Sequence, residues 1–319
     1  VTYYNAQRLG LFVVISSLMA CGAASPAPGT PNQGAGADAG PAINLPDPEY
    51  GLSDQSVDVG ADTRDYVLYI PESYTHDTET PVMLNFHGGS MDANGQLFTS
   101  DMRSLADAEN FILVYPEGSP LETGESHWNP LPPGSEGKSD ADDFGFVSAL
   151  LDALEANYRI DTERVYATGY SNGAGMAYGL ACYLSDRITA IAPVSGSMYV
   201  QMQRDCAASH PTAVAIFNGT NDFARPYDGY PEWFVPVDEA ATFWAEHNQT
   251  STQPQTDELR SGRVTVERKV YSGGEGDVSV VRYKVVNGDH DWFDLDLEGR
   301  NLDQLIWDFV SAHSHQGLR

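Results

Sequence analysis

A serine hydroxyl attacks a carbonyl at neutral pH only when an imidazole removes its proton. The run Gly169-Tyr170-Ser171-Asn172-Gly173 sets a serine where that chemistry can happen, because it fits the pattern G-x-S-x-G. Its surroundings sharpen the reading. The apolar stretch Val165-Tyr166-Ala167-Thr168 reads as a strand leading in, and Ala174-Gly175-Met176-Ala177-Tyr178 reads as a helix leading out. The flanking glycines permit a turn too tight for any Cβ, which would leave Ser171 strained with its hydroxyl exposed.

The base must come from among the eight histidines. His290, in Asn287-Gly288-Asp289-His290-Asp291-Trp292, falls between the last predicted strand and the last predicted helix, on a loop at a sheet end. His313 and His315 lie in the tail, His247 at a helix end, His76 and His127 in polar loops, and His210 before a strand begins. His290 is therefore the expected base. It needs a carboxylate on its other ring nitrogen to set the tautomer and to stabilise the imidazolium. Asp222 follows a predicted strand through Asn218-Gly219-Thr220-Asn221 and is the expected acid, with Asp228 and Glu232 as competitors. The loop His87-Gly88-Gly89-Ser90 follows another predicted strand. Its Gly89 and Ser90 amides, with that of Asn172, are candidate donors to the oxygen that becomes negative, and His87 reads as a residue that orients the loop.

These residues need a scaffold that brings distant strand ends together. Strand patterns are expected over 64–70, 81–86, 111–115, 164–168, 189–194, 212–217, 263–271 and 278–286. Helical spacing is expected over 96–109, 144–158, 172–184, 237–247 and 302–313. Such alternation predicts an α/β fold, with a mainly parallel central sheet and helices on both faces. In such sheets ligands gather at the carboxyl ends of the strands. Asp142 and Asp143, just before a predicted helix, are expected to cap it.

The chain has 319 residues, and 45 acidic against 17 basic side chains give it a formal charge of −28. That sign excludes nucleic acid as an expected partner, because a polyanion is bound by releasing its counterions to Lys and Arg. HExxH, a Walker A loop, a dinucleotide fingerprint and CxxC are absent from the sequence, so neither metal nor cofactor is expected. Residues 9–20 form an apolar run shorter than the roughly 20 residues that span a bilayer, which suits a signal peptide. Leu18-Met19-Ala20-Cys21 resembles a bacterial lipobox, so Cys21 is expected to be lipidated, the alternative being an ordinary cleaved signal.

The expected division is thus a signal peptide over 1–21, a disordered Ala/Gly/Pro linker over 22–46 and a catalytic domain over 47–319. The location this implies is secreted or at the bacterial cell envelope, touching membrane only through a lipid anchor at Cys21. With Cys21 used, Cys182 and Cys206 remain as an even pair where disulfides are permitted. They are expected to bridge, two free buried thiols being the alternative.

Several further motifs stand in order along the chain. They are Tyr69-Ile70-Pro71, Asn85-Phe86-His87-Gly88-Gly89, Tyr115-Pro116-Glu117-Gly118, Asp142-Asp143-Phe144-Gly145-Phe146, Arg159-Ile160-Asp161, Arg164-Val165-Tyr166 and Ala192-Pro193-Val194-Ser195-Gly196. With the serine motif, they resemble the polyhydroxybutyrate depolymerase and feruloyl esterase family of secreted α/β-hydrolases, from about residue 64 to 311. The resemblance implies the α/β-hydrolase fold and a catalytic triad of Ser171, Asp222 and His290. It also implies a Cys182/Cys206 disulfide and a serine esterase acting on feruloyl-type or polyester and oligoester substrates. The sequence departs from the family at Asp289, where glycine usually precedes the histidine.

Trp128, Tyr230, Trp233, Phe234 and Trp292, with Tyr227, are the aromatic residues on loops that could hold such a substrate. A monomer acting on a small-molecule or polymeric ester is expected. The alternatives are a serine peptidase and a non-catalytic surface-binding lipoprotein.

Overall fold

The computed structural model describes residues 45–135 and 139–319. The expected signal segment with Cys21, and the expected linker as far as residue 44, lie outside the described residues. Two strands open the described chain, β1 (Gly51–Val59) and β2 (Asp62–Ile70). They are followed by β3 (Thr80–Phe86), helices α1 (Ala93–Thr99) and α2 (Arg103–Glu109), and β4 (Ile112–Pro116). A short hairpin, β5 (Ser119–Pro120) with β6 (Ser126–His127), leads to α3 (Asp143–Asn157), β7 (Ile160–Tyr170) and α4 (Asn172–Tyr183). Then come β8 (Ala190–Val194), α5 (Val200–Asp205), β9 (Ala213–Gly219) and α6 (Val237–His247). The last part holds β10 (Gln255–Ser261), β11 (Val264–Tyr271), β12 (Val280–Val285), α7 (Leu302–Val310), β13 (His313–Ser314) and β14 (Gly317–Leu318).

Ten strands make one sheet in the order β1-β2-β4-β3-β7-β8-β9-β12-β11-β10. From β4 to β12 neighbours are parallel, and the two outer pairs are joined to this block antiparallel. The parallel strands are apolar on both faces, as a sheet covered on both sides requires. In β3, Val82 and Leu84 face the core shared with α3, α4 and α6, whereas Met83 between them faces the core shared with α1, α2 and α7. This is the α/β-hydrolase arrangement expected from the sequence. Because β3, β7, β8, β9 and β12 all run the same way, the residues that follow them meet at one edge.

The structure departs from the sequence expectation at the periphery. β1 and β10 have no counterpart in it. Both are outermost strands in which polar residues dominate, and one face of each is exposed along its length. Asp54 and Asp58, or Asp257, Glu258 and Arg260, keep such edges from pairing with another chain, and the same charges hide the strand pattern. The single helix expected over 96–109 is two. The buried Tyr115 hydroxyl sits in the break, donating to Ser100 O (2.6 Å) and accepting from the Met102 amide (3.2 Å), so the interrupted backbone groups stay paired. Asp142 caps α3 as expected, accepting from the Gly145 amide at 2.8 Å. Asp143 does not cap it. Its buried carboxylate bonds Arg64 (2.9 Å) and the Asn129 amide (2.7 Å), and burial pushes its pKa upward against the pull of Arg64.

Candidate active site

β7 delivers the chain to Ser171, and α4 carries it away. Ser171 takes φ 55° and ψ −107°, a conformation that L side chains rarely adopt, and its amide donates to Val194 O at 3.0 Å. Glycine is obligatory on either side for a steric reason. A Cβ on Gly169 would lie 2.6 Å from the carbonyl carbon of Gly173, and one on Gly173 would collide with Phe86 O. The turn thus rests directly on the end of β3, and it lifts the serine hydroxyl above the strand ends.

The structure brings the three expected residues together. Ser171 Oγ lies 2.9 Å from His290 Nε2, and His290 Nδ1 lies 2.7 Å from Asp222 Oδ2. Asp222 is buried, and its other oxygen accepts from the amides of Ala224 (2.8 Å) and Arg225 (2.7 Å). All three contacts use the carboxylate as acceptor. The imidazole therefore carries its proton on Nδ1 and turns the lone pair of Nε2 to the serine.

The histidine sits on a loop held at two points. Tyr170 donates its hydroxyl to His290 O at 2.7 Å, and Ser195 donates its hydroxyl to Asp291 O at 2.6 Å. Burial pushes the Tyr170 phenol up to about 12, so it stays a donor across the physiological range. Asp289, the departure from the family pattern, is exposed and accepts from the Asn221 side chain at 2.5 Å.

His87 is buried, with its pKa lowered chiefly by burial. The Gly118 amide donates to its Nε2 at 2.9 Å, so the proton sits on Nδ1, 2.7 Å from Gly88 O. The ring is then neutral despite Glu117 Oε1 at 3.7 Å, and it braces the loop as the sequence suggests. Among the expected donors, the amide of Ser90 is already committed to Ser126 O at 2.9 Å, which removes it from the set. The amides of Gly89 and Asn172 have no acceptor among the described residues. Asn172 uses its side chain elsewhere, bonding both the amide and the carbonyl of Trp128.

The expected substrate aromatics divide. Trp128 is a correction, because it is 0% exposed. Its indole donates to His87 O at 3.0 Å, and it packs on Phe86 and Phe146, so it supports the loop from below. Trp292 is partly buried against the α7 side of the core, donates to Asp303 at 3.0 Å and does not line the cleft described next. Tyr227 is buried, and Tyr230 is exposed but outside that cleft.

Trp233 and Phe234 do line a cleft of about 670 Å³, together with Pro130, Tyr199 and Arg225. This cleft adjoins the triad. Arg225 is bonded through its amide to Asp222, and Tyr199 packs on Gly175 in the first turn of α4. His127, also in the lining, is within 3.8 Å of where a Gly89 Cβ would be. Sequence reasoning missed Arg225, Tyr199 and Phe223, the last of which is 85% exposed with its ring 6.3 Å from that of His290. Phe223 and Arg225 flank the acid so closely that their position beside Asp222 was the available signal.

Comparison with known proteins gives the family and the fold. The family described as esterase PHB depolymerase matches residues 64–239. The chain is 28% identical over 256 residues to a bifunctional acetylxylan esterase/xylanase of Neocallimastix patriciarum, covering 80% of this chain and 34% of that one. It is 24% identical over 261 residues to feruloyl esterase B of Piromyces equi, covering 79% of this chain and 45% of that one. The chain thus spans about a third and under half of the lengths of these two relatives. The solved acetyl xylan esterase from Aspergillus awamori shares the fold at a TM-score of 0.53 and 17% identity, over 75% of this chain and 94% of that one.

Proposed function

The chain belongs to the esterase PHB depolymerase family, and from that premise we propose that it is a serine carboxylic ester hydrolase working through an acyl-enzyme. The observation that carries the proposal is the unbroken contact series from Ser171 Oγ through His290 to Asp222. Ser171 attacks the ester carbonyl as His290 Nε2 takes its proton. The carbonyl oxygen becomes an oxyanion beside the Gly89 and Asn172 amides, where losing one such donor costs about 2.7–4 kcal/mol of barrier. His290 then returns the proton to the departing alcohol, and water repeats the sequence on the acyl-enzyme. Asp222 holds the imidazole in the productive tautomer throughout.

The substrate class we propose is feruloyl-type or polyester and oligoester. Support comes from the apolar character of the cleft, where Pro130, Tyr199, Trp233 and Phe234 offer flat carbon surfaces, and from relatives named as feruloyl and acetylxylan esterases. We also read residues 1–21 as an export signal ending at a lipidated Cys21, and the Cys182–Cys206 disulfide supports passage through an oxidising compartment. The test is a panel of methyl ferulate, short nitrophenyl esters, polyhydroxybutyrate and terephthalate oligomers, run beside a peptide substrate. Ester turnover that vanishes in Ser171→Ala, with the peptide untouched, is the expected result. Peptide cleavage, or ester turnover that survives in the variant, would overturn the reading.

A further inference from the structure

The chain is short of cations, with 17 basic residues against 45 acidic ones, and most of the described ones are tied to carboxylates. Arg225 is not. Among the described residues no carboxylate lies within 4.0 Å of its guanidinium, yet it lines the cleft next to the triad. The guanidinium lies over the Phe234 ring at 4.8 Å, and Tyr199 packs edge-on against the same ring at 5.2 Å. One N–H donates to Ala224 O at 3.0 Å, and the other donors of the fork have no acceptor among the described residues. Stacking on an aromatic face fixes the plane of the group and leaves its edge free, the geometry in which arginine takes a carboxylate through two parallel bonds. The same residue's amide holds Asp222, so its backbone is anchored beside the acid of the triad.

Among the described residues no carboxylate answers this half-buried charge, and an ester bearing a carboxylate would supply one. We propose that Arg225 is a specificity residue, and that the cleft takes esters carrying a free carboxylate near the scissile bond, as the acid end of an oligoester does. Asp140 is the other charged residue described in the lining. It is exposed to water and lies more than 4 Å from the guanidinium, so solvent screens its repulsion of such a ligand. The proposal rests on the ester-hydrolase reading and narrows its substrate class.

Two matched pairs of esters test it, one with the carboxylate on the acyl side and one with it on the alcohol side. The first is the para-nitrophenyl monoester of glutaric acid against the corresponding primary amide. The second is 3-(butanoyloxy)butanoate against its primary amide. The readout is the ratio of kcat/KM for the acid over the amide. In at least one pair the wild type is expected to favour the acid, and Arg225→Gln to lower the ratio about tenfold or more, with Arg225→Lys in between. The pair that responds tells which side of the ester faces the arginine.

A ratio that Arg225→Gln leaves unchanged in both pairs overturns the proposal while the esterase reading stands. If the wild type hydrolyses none of the four compounds nor any ester of the earlier panel, the esterase reading itself fails, and this one with it. A loss that falls equally on acid and amide also overturns it, since it assigns Arg225 only to holding the Asp222 loop.

Discussion

Ser171 owes its raised position at the strand ends to a backbone conformation that costs about 1–3 kcal/mol and is held by glycines pressed against the end of β3. Its neighbour Tyr170 is the less obvious partner, since its hydroxyl reaches the carbonyl of His290 itself. Tyr170→Phe keeps the ring and removes that bond. The expected outcome is a fall in kcat of about tenfold with KM little changed, because a net hydrogen bond contributes about 0.5–1.5 kcal/mol and positions the base rather than the substrate. Steady-state kinetics on a nitrophenyl ester check this; an effect confined to KM would assign the tyrosine to binding. Asp222→Asn is expected to reduce kcat by about 10⁴-fold, since an amide cannot impose the Nδ1-protonated tautomer.

Among the elements, α4, which follows the Ser171 turn, and α5, which follows the cleft residue Tyr199, have their ends joined by the Cys182–Cys206 disulfide. Replacing both cysteines by serine opens a loop with a sequence separation of 24 and is expected to destabilise the fold by about 3 kcal/mol on the chain-entropy account. Urea titration under non-reducing conditions measures it, and an unchanged midpoint would contradict the expectation.

The site-bearing elements were those most legible in the sequence, for a physical reason. β3, β7, β8 and β9 are buried on both faces, so they read as apolar runs, and the turns that end them carry the glycines and the chemistry. The outer strands β1 and β10 are half-solvated and polar, which erases the pattern. The break between α1 and α2 depends on Tyr115, a residue distant in helical spacing that no local signal connects to it. Trp128 was misjudged because a tryptophan on a polar loop looks the same in sequence whether it faces the cleft or the core. Arg225 escaped notice because a cation without a carboxylate partner among the described residues is recognised by its surroundings, which only coordinates reveal.

On the scale of the whole molecule, acid sensitivity should arise from buried and half-buried imidazoles. His87, His313 and His315 all have pKa values lowered mainly by burial. In the unfolded chain these groups take protons once the pH falls below about 6.5, while the folded protein resists doing so. At these three sites the unfolded state then binds more protons, so their contribution to stability declines as pH drops from about 7 toward 5, outweighing the opposite contribution of Asp143 and Asp303, whose carboxyls burial pushes upward. Thermal melts across that range are expected to show a falling Tm, with the slope reduced in His313→Gln. A Tm that stays level or rises would contradict this.

An acyl-enzyme mechanism requires that Ser171 be an activated nucleophile. Treating the folded protein with a fluorophosphonate and locating the adduct by peptide mass spectrometry asks that directly. The expected result is a stoichiometric adduct on Ser171, formed rapidly in the wild type and very slowly in His290→Ala. Ester hydrolysis that continues with Ser171 unmodified, or an adduct on a different residue, would contradict it.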